Sequence, residues 1–114
     1  MSSNRRTYRV AEKLQQLIAQ EVLRLSDPRF MLVTITSVVV SPDLRNAKVY
    51  WIVTGGKERQ SEVEEAFKSA GGYFKRAVAK ELRTRVAPEM SFFYDNTLDS
   101  VEEIEKLFKR LKES

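Results

Sequence analysis

Neither cysteine nor histidine occurs among the 114 residues. Their absence excludes disulfides, thiolate and imidazole metal sites, and nucleophilic catalysis built on a Ser-His or Cys-His pair. No cofactor is expected. Long apolar runs are missing too: nothing approaches the ~20 residues needed to cross a bilayer, so no membrane partner is expected. The start, Met1-Ser2-Ser3-Asn4-Arg5-Arg6, leads into an amphipathic segment without the apolar stretch of a signal peptide. The expected location is therefore cytoplasmic. Glycine is sparse as well, with four residues in two adjacent pairs, Gly55-Gly56 and Gly71-Gly72.

What is present suits a folded chain. A hydrophobic share of 42% beside 32% charged residues predicts one domain over residues 1–114 with a single modest core. The formal charge of +4 is unevenly spread. Residues 68–86 hold six cations and one anion, and residues 1–25 hold five and two, whereas residues 87–114 hold four cations and seven anions. Two basic segments on a mildly basic chain favour a polyanionic partner.

Val10, Leu14, Leu17, Ile18, Val22 and Leu25 step by three and four, which predicts a helix from about Thr7 to Leu25. Asp27-Pro28 ends it, because a residue before proline avoids the helical region. Leu32 to Val40 reads as a strand whose alternation changes phase, so a bulge is predicted near Thr36-Ser37. After the turn formers of Ser41 to Asn46, Ala47 to Val53 alternates cleanly and predicts an antiparallel partner strand. Ser61-Glu62-Val63-Glu64 reads as a capping box for the next helix.

That helix meets Ala70-Gly71-Gly72. Each interior glycine costs about 1 kcal/mol relative to alanine, so the pair predicts a kink or break. A further helix runs on to about Arg85, with Phe74, Val78 and Leu82 on one face and Arg76, Lys80 and Arg83 on the other. Ala87-Pro88 stops it, and Met90 to Tyr94 forms a third strand. Leu98, Val101, Ile104, Leu107, Phe108 and Leu111 predict a C-terminal helix over about 97–112, starting either at Thr97 or at Ser100 with Glu103 three residues on, and its apolar face is expected to pack on the domain. Helices and three strands in this order predict an α+β two-layer sandwich with its core in residues 7–95.

The order α-β-β-α-kink-α-β, with a C-terminal helix, is similar to the type II KH domain, an RNA-binding fold. Arg9-Val10-Ala11-Glu12, Asp27-Pro28-Arg29, Val33-Thr34-Ile35-Thr36, Val38-Val39-Val40-Ser41-Pro42-Asp43-Leu44 and Ala47-Lys48-Val49-Tyr50 narrow the match. So do Ala70-Gly71-Gly72, Pro88-Glu89-Met90, Phe92 and Tyr94-Asp95. In order and spacing, these segments resemble the ribosome-binding factor A family from about residue 5 to 108. The resemblance implies a monomeric, non-catalytic KH-like assembly factor. It implies binding to 16S rRNA within the free, immature small (30S) ribosomal subunit, and support of late rRNA maturation, including 5′-end processing, with a part in growth at low temperature. KH domains clamp single strands with a Gly-x-x-Gly loop. This chain has the family's Ala-x-Gly kink in its place, so contact with structured rRNA is expected.

The candidate RNA-binding residues follow from the kink and the cations. Ala70, Gly71 and Gly72 would let a phosphate approach the backbone at a helix start; their plainer reading is a helix connection closed by a glycine cap. Lys75, Arg76, Lys80, Arg83 and Arg85 form the adjoining basic group, and a solvated face is the plainer reading. Arg5, Arg6, Arg9 and Lys13 oppose the dipole of the first helix, so local helix stability does not explain them. Arg45 and Lys48 add weaker candidates on the hairpin. Of Trp51, Tyr73, Phe92, Phe93 and Tyr94, most belong to the core, and Phe93 is the expected exposed exception. Glu62, Glu64 and Glu65 read as a helix-start cluster rather than an acid/base pair. A nuclease is disfavoured by the absence of His, Cys and clustered acids. The remaining alternative is a protein-protein adaptor acting through the C-terminal helix.

Overall fold

The computed structural model describes residues 2–55, 57–82 and 87–113. Its elements are α1 (Ser2–Arg24), β1 (Val33–Val40), β2 (Asn46–Val53), α2 (Gln60–Ser69), α3 (Gly71–Leu82), β3 (Glu89–Tyr94) and α4 (Thr97–Glu113). Single turns of 3-10 helix at Pro28–Phe30 and Lys57–Arg59 complete it. The sheet has the order β1-β2-β3, with β1 and β2 antiparallel and β2 and β3 parallel. The α2–α3 crossover carries the chain back to start β3 beside the start of β2, which is why that pair is parallel.

Helices α1, α2 and α3 cover one face of the sheet. Leu14, Ile18 and Val22 of α1 meet Ile35, Val38 and Val40 of β1 and Ala47, Val49, Trp51 and Val53 of β2. Val63, Ala66 and Phe67 of α2 and Phe74 and Val78 of α3 close the same core. Aromatic rings dominate its centre: Phe67 stacks on Phe92 at 4.6 Å and stands 5.5 Å from Trp51. The indole N–H of Trp51 has no acceptor among the described residues.

The bulge falls where the phase change placed it. Ile35 pairs with Trp51 and Ser37 with Tyr50, so Thr36 is the extra residue and both halves of β1 keep their apolar side chains inward. A bulge frees backbone groups. The Gln15 amide of α1 donates to the carbonyls of Ile35 and Thr36, at 3.3 and 3.2 Å. On the other face the Thr36 hydroxyl donates to Asp95 Oδ2 at 2.6 Å, and Asp95 Oδ1 accepts the Thr97 N–H at the start of α4.

Several expectations need correction. The helix α1 begins at Ser2, five residues before the expected start at Thr7. Ser61 does not cap α2: the helix starts one residue before it, and Arg59, the residue at the cap position, offers no side-chain cap bond. Arg59 is held elsewhere, donating to the carbonyls of Met31 at 2.6 Å and Arg29 at 3.0 Å and to Glu62 at 2.8 Å. Those long-range bonds tie the segment before β1 to the start of α2 and override the local capping pattern. The C-terminal helix forms at Thr97, but among the described residues its apolar side chains from Ile104 onward do not pack on the domain. Ile104, Leu107 and Phe108 are 53%, 56% and 61% exposed. The molecule accordingly measures 60 × 40 × 17 Å, two layers thick with a long projection.

Candidate nucleic-acid interface

The break between α2 and α3 occupies a single residue, Ala70, whose backbone (φ −94°, ψ 5°) leaves the helical range. Its N–H still returns to Ala66 at 3.0 Å, while its carbonyl accepts the Phe74 N–H at 3.1 Å. Phe74 thus makes the first bond of α3, and the N–H groups of Gly71, Gly72 and Tyr73 have no partner inside that helix. Neither glycine takes a positive φ, so the left-handed glycine cap does not form. What the glycines supply is room. A Cβ on Gly71 would meet nothing within 4 Å, and one on Gly72 would lie 3.3 Å from Arg76 Nη1 alone. A patch of bare backbone therefore sits under a guanidinium at the positive end of a helix, where an anion gains from N–H groups, dipole and side chain together.

The kink is held from α1. Glu21 is 6% exposed and accepts the Tyr73 hydroxyl at 2.5 Å and Arg24 Nη1 at 3.0 Å. A buried carboxylate is tolerated because both bonds satisfy it. The hydrogen bond to Glu21 raises the Tyr73 phenol above its ordinary value. Glu21 was not among the sequence candidates. Its signal was a lone acid among Ile18, Val22 and Leu25 on the inward stripe of α1.

Along α3, Phe74 and Val78 are fully buried, while Lys75, Arg76 and Lys80 are exposed. Among the described residues no ion pair engages Arg76 or Lys80. Lys75 does have a partner, Glu89 at the start of β3. The Glu89 N–H in turn donates to the Arg45 carbonyl at 2.8 Å, which brings the hairpin cation Arg45 and Lys75 to one place. Arg83 and Arg85 lie outside the described residues. Arg5, Arg6, Arg9 and Lys13 are exposed on the first half of α1. At 1.5 Å per residue, Lys13 lies about 12 Å and Arg6 about 22 Å along the axis from Glu21. The structure thus joins Ala70, Gly71, Gly72 and Arg76 in one patch, extends it along α3 to Lys80, and leaves the α1 cations as a separate group. Phe93 is 44% exposed, as expected from its parity, and Trp51, Phe92 and Tyr94 line the core side of the sheet.

No group of three or more acids that could hold a metal occurs among the described residues. Among them, too, no helix is long and apolar enough to cross a membrane. A KH-like sandwich with a small-residue kink beside the exposed cations Arg76 and Lys80 has the form of an RNA-binding module. Comparison with known proteins narrows this. Residues 6–108 match the model of the family described as Ribosome-binding factor A, and the chain belongs to that family, whose role lies in ribosome biogenesis and rRNA processing. It is 39% identical over 112 residues to ribosome-binding factor A of Desulfatibacillum aliphaticivorans, covering 97% of this chain and 91% of that protein. The solution NMR structure of a Thermotoga maritima protein aligns with a TM-score of 0.71 and 36% identity, over 77% of this chain and 85% of that one. A homology model of Thermus thermophilus ribosome-binding factor A, fitted into a cryo-EM map of a 30S complex, aligns with a TM-score of 0.63 and 27% identity, over 75% and 90%.

Proposed function

We propose that this protein binds the immature small ribosomal subunit through its α2–α3 kink and the cationic face of α3, and holds one conformation of 16S rRNA while maturation, including that of the 5′ end, is completed. The observation that carries this reading is the Gly72–Arg76 juxtaposition: accessible backbone beside an unpaired guanidinium, which stands 3.3 Å from where a Cβ on Gly72 would be. It gains support from the Thermus relative, a homology model of which has been fitted into the map of a 30S complex. Such a patch reads phosphate position and groove shape rather than base identity, as contact with folded rRNA requires. Release then follows when the matured rRNA no longer offers phosphates at that spacing, which makes differential affinity for the two particles the working principle. The chain acts by binding, with no catalytic step of its own.

The test is direct comparison of affinity for immature and mature free 30S particles, with crosslinked nucleotides mapped from Arg76 and Lys80. Tighter binding to the immature particle, with crosslinks on rRNA from α3, is the expected result. Equal affinity for both particles, or crosslinks confined to ribosomal proteins, would overturn the reading.

A further inference from the structure

Among the described residues, two apolar faces are left without cover, and the elements that carry them follow one another in the chain. One is the side of the sheet turned away from α1–α3. There Phe93 and Val39 are 44% and 56% exposed, the Tyr50 and Phe93 rings lie 5.8 Å apart, and Ile52 continues the patch toward the end of β2. With a shortest dimension of 17 Å the molecule has no third layer over this face. The other is the side of α4 that carries Ile104, Leu107 and Phe108, which recur at i, i+3 and i+4 and so share one face. Most helix stability in proteins comes from packing an amphipathic face, so α4 gains from a surface that buries that stripe.

We infer that the open face of the sheet is the docking surface for α4 of the same chain, which closes over Tyr50, Phe93 and Val39 as a third layer. Continuity favours this occupant over any other. Only Asp95 and Asn96 separate β3 from α4, and Asp95 ties Thr97 to Thr36 on the open side of β1, so the helix starts on the rim of the surface it would cover. The dimensions agree. Ile104 lies about 10 Å and Phe108 about 16 Å from the helix start. Counting back from Asn96 at about 3.3 Å per residue, Phe93 and its neighbour Tyr50 fall near the first distance, and Ser91, Lys48 and Val39 near the second. Lys106 would then point outward. This inference is independent of the proposed rRNA contact, because α3 and the kink lie on the opposite side of the sheet and remain open in either position of α4.

The absence of native cysteine makes the test clean. In the full chain, Ser91→Cys combined with Phe108→Cys should form an intramolecular disulfide under mild oxidation, at least tenfold faster than Ser91→Cys combined with Lys106→Cys. Equal rates for the two pairs, no disulfide, or a disulfide only between two copies would overturn the inference. A second measurement stands apart from the cysteine pairs: in Phe108→Ser, the ring proton resonances of Tyr50 and Phe93 should shift from their wild-type positions. Unchanged resonances would overturn it as well.

Discussion

At single residues, the decisive positions are those where the chain does without bulk or places charge against its surroundings. Gly72 separates binding from folding. Its φ suits any residue, and the methyl of alanine would displace only the mobile end of Arg76. Alanine also favours the helix, by up to about 1 kcal/mol. Gly72→Ala is therefore expected to leave the melting temperature unchanged or higher while lowering affinity for the small subunit several-fold; loss of stability with affinity intact would contradict this. The latch behind the kink makes the complementary case. Tyr73→Phe removes one of the two bonds to buried Glu21 and should cost about 1–2 kcal/mol in urea unfolding followed by the single, fully buried Trp51. Leu32 offers a third check. It is exposed with φ +64°, a conformation that costs a side chain about 1–2 kcal/mol, so Leu32→Gly should gain roughly 0.5 kcal/mol after the added freedom of the unfolded chain is counted.

Elements were legible in the sequence wherever their periodicity had one interpretation. The strands were, down to the bulge, because a change of parity within Val33 to Val40 can return both halves inward only if one residue is extra. The break at Ala70 was legible because helix formers flank two glycines. The start of α2 was not: Ser61 and Glu64 have capping chemistry, but distant carbonyls claim Arg59 and begin the helix earlier. The fate of α4 was not legible either, since an apolar stripe says that a face wants cover but not which surface supplies it. One carboxylate joins these elements. Bonds from Thr36 and Thr97 hold the Asp95 carboxyl below its ordinary value of 3.8. A depressed carboxylate contributes stability that is fully present above its unfolded value and is lost as pH falls through the folded one. Asp95→Asn should thus cost about 1 kcal/mol at pH 7, with the gap to wild type closing below about pH 4. A gap independent of pH in denaturant titrations would contradict the bond pattern.

For the whole molecule, the charge distribution decides what kind of partner it meets. The described cations Lys75, Arg76 and Lys80 of α3 and those of the first half of α1 lie on the helical layer and are separated along α1, so a partner that engages both must present phosphates over some 20 Å, as a folded RNA does. The two basic segments were readable from the sequence; their separation, and the assembly of Ala70, Gly71, Gly72 and Arg76 into one patch with Lys75 drawn off toward Glu89, were not, because they depend on how α3 sits against α1 and how β3 returns beside β2. The most direct measurement is the salt dependence of affinity for the immature small subunit, for wild type and for the double variant Arg76→Ala with Lys80→Ala. Each phosphate contact contributes about 0.9 to the slope of log affinity against log salt for duplex-like nucleic acid. The double variant is expected to bind more weakly at low salt with a slope shallower by about 1–2, whereas an unchanged slope and affinity would contradict the assignment of α3 as the rRNA-binding face.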